Sequence, residues 1–159
     1  EDLANTDGLT GLSNERFFNA TLQKKEKAGE PFALFYLDLD SFKPVNDTYG
    51  HDVGDQLLKA VSLRLRTCVR STDYAFRIGG DEFALIVNGA VTEGFCKSRV
   101  EKIKAAIREP YRLKDAEVQV GTSCGCAVYP CDSDDVRAIR ILADHRMYED
   151  KQRSGRSCE

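Results

Sequence analysis

Two histidines, one methionine and no tryptophan stand in 159 residues. None of the six cysteines forms a Cys-x-x-Cys pair, so the usual zinc ligand sets are missing. No apolar run approaches the roughly 20 residues that cross a bilayer, and no signal-peptide pattern opens the chain. Excess positive charge is lacking too: 23 Lys and Arg stand against 26 Asp and Glu, for a net charge of −3. That balance gives no pull toward nucleic acid or an anionic membrane surface. Repeats, linkers and low-complexity segments are absent. What is present is the mix of one globular domain, 42% hydrophobic and 31% charged, long enough to bury a core. The opening "EDLANTD" looks like a helix entered part-way, so the expectation is a single domain over 1–159 cut from a longer protein. Cys124 and Cys126 lie two apart in an alternating run and share one face of a strand as small core residues. Cysteine usage fits a reducing, cytosolic compartment.

Punctuation and periodicity divide the chain. "SNERFFNATLQKKEKAGE" predicts a helix from about Ser13 that stops at Gly29, with Phe17, Phe18 and Leu22 inward. "PFALFYLDLD" is a continuous apolar run that ends in acids, as a central strand covered on both faces would be. "SFKPVNDTYGHDVGD" opens as a loop, on its Pro, Asn-Asp and Gly. A helix follows from about Asp52 to Val69. Tyr74, Phe76 and Ile78 then alternate, Gly79-Gly80 turns the chain, and "FALIV" returns. Another helix spans about Thr92 to Glu109, and a strand runs through Val118–Val128 to Pro130. The last helix runs from about Ser133 to Arg153. The order β-α-β-β-α-β over 32–128 is an α+β pattern, the ferredoxin-like palm core. The right-handed crossover rule puts the 32–39 strand mid-sheet beside the hairpin, in an antiparallel sheet framed by helices, with an extra C-terminal helix.

This topology brings the end of the first strand and the hairpin tip to one edge. Asp38 and Asp40 share a face by the period of two, and Asp81 and Glu82 come from the tip. Clustered carboxylates repel and raise their own pKa values unless a cation joins them. With oxygen donors alone, the cation would be Mg²⁺ rather than zinc, and Mg²⁺ usually accompanies phosphate. The same spacing also fits a surface turn with solvated acids. Lys43, Lys151, Arg153 and Arg156 are the nearby cations for a phosphate, though basic residues also favour a helix C-terminus.

Five blocks, in order, resemble one family. They are "TDGLTGLSNERFF", "DLDSFKPVNDTYGHDVGDQLL", "RIGGDEF", "SCGCA" and "ADHRMYEDK". Together the chain is similar to the GGDEF domains, the diguanylate cyclase family, over almost its whole length. The resemblance implies condensation of two GTP into cyclic di-GMP with release of two pyrophosphates. It implies a homodimer of half-sites and two Mg²⁺ or Mn²⁺ per active site. By position, Asp38, Asp81 and the Leu39 carbonyl are metal ligands, and Glu82 is a further ligand or the acid that assists 3′-hydroxyl deprotonation. Asp40 takes a supporting role. Asn46 and Asp55 fall at guanine-reading positions, where a buried Asp55 left unpaired would reject ATP. Phe42 and Lys43 line the same pocket, and Lys43 joins the catalytic set through phosphate. Lys151 contacts phosphate, with Arg156 or Arg153 beside it. "KQRSGR" has three residues between Lys151 and Gly155, where one common form of the family has two.

"RSTD" sets Arg70 and Asp73 at the spacing of the family's inhibitory product site, with Lys102 near the position of a further basic contact. The resemblance thus implies feedback by cyclic di-GMP, no contact with nucleic acid or membrane by this domain, and a place in a bacterial signalling protein of the cytoplasm or the cytosolic side of the inner membrane. The alternative is a silent module that binds GTP or cyclic di-GMP and regulates a neighbouring domain.

Overall fold

The computed structural model describes residues 3–89, 91–114 and 116–157, with the backbone alone for Glu93 and 154–157. After a short turn of 3₁₀ helix, Leu3–Asn5, come helix α1 (Glu15–Ala28) and strand β1 (Phe32–Asp40). Helices α2 (Phe42–Tyr49) and α3 (His51–Thr67) lead to the hairpin β2 (Tyr74–Gly79) and β3 (Glu82–Asn88). Helix α4 (Glu93–Arg108), a small hairpin β4 (Tyr111–Leu113) and β5 (Ala116–Val118), strand β6 (Gly121–Tyr129) and helix α5 (Val136–Ser157) complete the chain.

The main sheet has the order β2-β3-β1-β6, with every pair antiparallel. This is the α+β, ferredoxin-like arrangement that the element order predicts. β1 shows no apolar–polar alternation because both of its faces are covered. Ala33, Phe35, Leu37 and Leu39 join Leu57, Val61 and Leu65 of α3 and Ile103 and Ile107 of α4. Phe32, Leu34 and Tyr36 pack instead with Phe18 and Leu22 of α1 and Ile139, Ala143 and Met147 of α5. Cys124 and Cys126 both belong to the α3/α4 side, as their spacing predicts. Among the described residues, no helix is long and apolar enough to cross a membrane.

Local signals set most boundaries. The Asn14 side chain accepts from the Phe17 N–H and caps α1, which ends at Gly29 in the left-handed region with φ +67°. Thr92 caps α4 by accepting from the Phe95 N–H. Two predicted segments differ. The stretch after Asp40, expected to open as a loop, forms α2. Pro44 is its third residue, where the backbone N–H has no intrahelical partner to lose. The strand expected over 118–128 is two strands, β5 and β6. Val118 and Val120 are buried in the same core as Cys124, so the hydrophobic alternation continues where the strand itself breaks.

Helix α5 lies directly on β6. A Cβ at Gly125 would collide with the Ala143 carbonyl, the Met147 nitrogen and the Arg146 backbone. Buried Asp150 fastens the same helix. It accepts from the Lys104 ammonium at 2.7 and 2.9 Å and from the Cys124 N–H at 3.0 Å. That N–H faces outward from the edge strand β6 and has no neighbouring strand to bond. Gly125→Ala must push α5 off the sheet, because the obstructing atoms are backbone. The expected loss is about 2 kcal/mol or more of unfolding free energy, read as a lower urea midpoint at unchanged slope.

Candidate active site at the end of the central strand

β1 has a neighbour on each side, so its last residues meet side chains from two directions. Asp38 pairs in register with Glu82 of β3 and with Ser123 of β6. The hairpin turn carries Asp81 alongside: the Leu39 N–H donates to the Asp81 carbonyl at 3.1 Å. Gly80 makes this possible with φ +25°, beside an irregular register between Arg77 and Gly79.

The Asp38 and Asp81 carboxyls meet. Burial, the charge of Asp38 and a hydrogen bond with it push Asp81 up to about 6, against the attraction of Lys151. Asp38 keeps one oxygen, Oδ1, buried without a hydrogen-bond partner. Its other oxygen lies 3.3 Å from the Lys151 ammonium, which lies equally far from Asp40. Asp40 also accepts from the Ser123 hydroxyl at 2.8 Å. Burial alone would lower the Lys151 pKa; the charges of Asp38 and Asp40 outweigh it, and the net shift is upward. Glu82 is shifted upward by burial and by Asp38, Asp144 and Glu15, against Arg140. An open cleft of about 460 Å³ runs along this edge between Asp38, Glu82, Asp144, Tyr148 and Lys151.

The expected convergence is therefore a close pair, Asp38 and Asp81, with Glu82 across the ladder and Asp40 engaged elsewhere. Among the described residues, no group of three or more His, Cys, Asp or Glu side chains is arranged to hold a metal ion. The pair itself still suits a hard divalent cation. Its donors are all oxygen, one of them is a buried orphan, and the two acids repel each other at neutral pH.

The other predicted residues lie around this edge. Phe42 is half-buried against the core at the start of α2. Lys43 is exposed and bonds Asp47 at 3.3 Å, one turn on, rather than the acids. Asn46 is half-buried, and its buried Oδ1 has no hydrogen-bond partner. It nests against Gly54, where a Cβ would collide with that oxygen. Asp55 follows directly and is exposed, not buried as expected, because it sits on the outer side of the first turns of α3. The Arg156 side chain lies outside the described residues.

Arg70 and Asp73 come together. The guanidinium forks onto Asp73 at 3.1 Å through both Nε and Nη2, and Asp73 also accepts from the Arg70 and Asn88 backbone N–H groups at 3.0 Å. Its carboxylate is fully buried and held below its ordinary pKa. Burial alone would raise that pKa, and these hydrogen bonds and the Arg70 charge outweigh it. A groove of about 400 Å³ beside Arg70 is lined by Asn88, Phe95 and Arg99. Lys102 is exposed and is not among the residues lining it; the second basic residue there is Arg99, one turn earlier on α4. Helical spacing from Arg70 could not choose between them, because the length of the 89–92 connection sets the phase. Ser123 was also missed as a partner of Asp40, because the strand register sets it opposite Asp38 and its bond to Asp40 runs diagonally across the ladder.

Comparison with known proteins agrees with this architecture. The family "Diguanylate cyclase, GGDEF domain" matches residues 4–157. The bifunctional diguanylate cyclase/cyclic di-GMP phosphodiesterase MucR of Pseudomonas aeruginosa is 38% identical over 159 residues, 96% of this chain and 23% of that protein. This chain spans under half the length of curated relatives of this kind. The solved GGDEF domain of PA1120 (TpbB or YfiN) from the same species is 33% identical. It covers 93% of this chain and 89% of its own, with a TM-score of 0.85. The GGDEF domain of DgcB from Caulobacter crescentus, solved in complex with c-di-GMP, is 28% identical, with 96% and 92% covered and a TM-score of 0.82. With family match, sequence identity and backbone in agreement, this chain belongs to the GGDEF, or diguanylate cyclase, domain family.

Proposed function

We propose that the domain is an active diguanylate cyclase. It condenses two GTP into cyclic di-GMP and releases two pyrophosphates, as a homodimer in which each copy holds one nucleotide. The observation that carries this is the Asp38–Asp81 pair, with its orphaned oxygen and its raised acid, beside an open cleft. Relatives named as diguanylate cyclases support it.

Asp38, Asp81 and the Leu39 carbonyl would hold divalent Mg²⁺ or Mn²⁺, two per active site, with Glu82 a further ligand or the acid that takes the 3′-hydroxyl proton. A bound cation supplies charge at the phosphates and favours the ionised hydroxyl. The chain's own groups do the rest. The backbone N–H groups of Phe42 and Lys43, in the first turn of α2, are suited to phosphate. Lys151 and Arg156 add positive charge to the triphosphate, and Lys151 releases Asp38 as it does so. Asn46 and Asp55 read the guanine edge, where one carboxylate accepts from N1–H and the exocyclic amine together. An exposed Asp55 gains that selectivity only once the base covers it. Each 3′-oxygen then bonds to the α-phosphorus of the facing nucleotide, and the bond to pyrophosphate breaks. This happens twice, across a two-fold axis. GTP supply places the reaction in the cytosol or on the cytosolic side of the inner membrane.

The protein incubated with GTP and Mg²⁺ should yield cyclic di-GMP and two pyrophosphates per product. Specific activity should rise with protein concentration, since one copy holds half a site. Glu82→Gln should lower kcat by about 10²–10⁴-fold. Binding of GTP or cyclic di-GMP without consumption of GTP would replace the enzyme by a nucleotide-binding regulatory module.

We also propose product feedback through Arg70, two-thirds exposed at the groove beside Asn88 and Arg99. In this reading cyclic di-GMP docks at Arg70, which buried Asp73 holds in place, and at a basic residue of α4, Arg99 or Lys102. Arg70→Ala should shift the inhibition curve to at least about tenfold higher product, the effect of a lost charge-assisted bond. It should also lower Tm, because buried Asp73 loses its partner. An unchanged inhibition curve would remove the feedback proposal.

A further inference from the structure

The hairpin tip that presents Asp81 and Glu82 is held from outside the cleft. The Arg77 guanidinium donates twice to the Gly80 carbonyl, from Nε at 3.0 Å and Nη2 at 2.8 Å. Its remaining nitrogen, Nη1, reaches both oxygens of Asp7 at 3.2 Å. Both side chains are mostly buried, 16% and 20% exposed. Asp7 is itself locked in a tight turn. It accepts from the Thr10 N–H and hydroxyl at 2.9 and 2.7 Å, and its own N–H donates to the Leu12 carbonyl at 2.7 Å. The backbone is tied in parallel, for the Arg77 N–H donates to the Ser13 carbonyl at 2.9 Å.

The Gly80 carbonyl belongs to the peptide plane that enters Asp81. Glycine offers no side chain to hold that plane, and its φ of +25° is one that a residue with a Cβ rarely adopts. A planar guanidinium fixes it instead, since the fork of donors can serve a carbonyl and a carboxylate together. A lysine, with one nitrogen, cannot hold both at these angles.

We infer that Arg77 and Asp7 are positioning residues for the acidic tip, so that the turn over residues 7–12 is a working part of the active site. The inference rests on the cyclase reading above and goes beyond it. It assigns a catalytic consequence to two residues that touch neither nucleotide nor the acid pair. Strain or displacement of the 7–12 turn would pass through Asp7 and Arg77 to the Gly80–Asp81 peptide. The nucleotide-holding groups proposed on α2, α3 and α5 are outside this thread, so binding of GTP is spared while the reacting geometry loosens.

The test is steady-state kinetics on Asp7→Asn and Arg77→Lys, singly and together, with amide hydrogen exchange on the same proteins. Expected is a fall in kcat of about 10- to 100-fold, the size that a misplacement near 1 Å gives, with KM for GTP within about twofold. The double variant should be little worse than either single one, because the two act as a unit. Exchange across 79–82 should speed up about tenfold or more while that of 32–37 holds. Asp132→Asn is the control. It breaks a different ion pair, with Arg146 on α5, and should lower Tm without the kcat loss. Unchanged kcat and exchange in the variants, or an equal kcat loss in the control, would overturn the inference. Were the wild type to make no product, the exchange arm would still decide the positioning role, separately from the cyclase.

Discussion

Two carboxyl groups meeting at the end of a buried strand is an unfavourable arrangement, and the surrounding structure is organised to bear it. Asp38 is committed to its place because β1 is covered on both faces and bonded on both edges. It cannot turn away without moving the centre of the sheet. Asp81 is committed because its turn is bonded to Leu39 on one side and held by Arg77 on the other. Burial, together with the charge of Asp38, appears as a proton retained by Asp81 up to about 6. A cluster of this kind, kept by a rigid frame, is what a site for a cation and its phosphates requires.

The frame extends well beyond the acids. Lys151 reaches Asp38 and Asp40 because α5 lies against β6 without a gap. That closeness depends on Gly125, which has no Cβ, and on Asp150, which ties α5 to α4 and to the free edge of β6. A core glycine and a buried salt bridge thus set the position of a cation at the cleft. Asp150 is the residue before Lys151, so packing and chemistry alternate along one helix.

Much of this was readable in the residues. The unbroken apolar run of 32–37 announced a strand buried on both faces. Gly79-Gly80 announced the turn, and the period of two put Asp38 and Asp40 on one face. The signature blocks identified the family. Other features depended on tertiary context. Pro44 looked like a helix breaker, yet it occupies a helical position that needs no donor. Val118 and Val120 continued an alternation across a break, because one core takes side chains from both strands. Asp55 lies on the exposed side of α3, which the residue pattern around it did not reveal. The choice of Arg99 over Lys102 as the lining residue rests on helix phase. The thread from Asp7 to Arg77 to Gly80 spans about seventy residues of sequence, and only the fold brings its ends together.

Thermal unfolding of wild type and Asp81→Asn at pH 7, with and without Mn²⁺, bears most directly on the central claim. If the acid pair is an unfavourable contact retained for a cation, the metal-free Asp81→Asn protein should melt a few degrees higher than wild type. Added Mn²⁺ should then raise the wild-type Tm and leave that of the variant where it was. A variant that melts lower than wild type without metal, or that gains as much from Mn²⁺, would contradict the account.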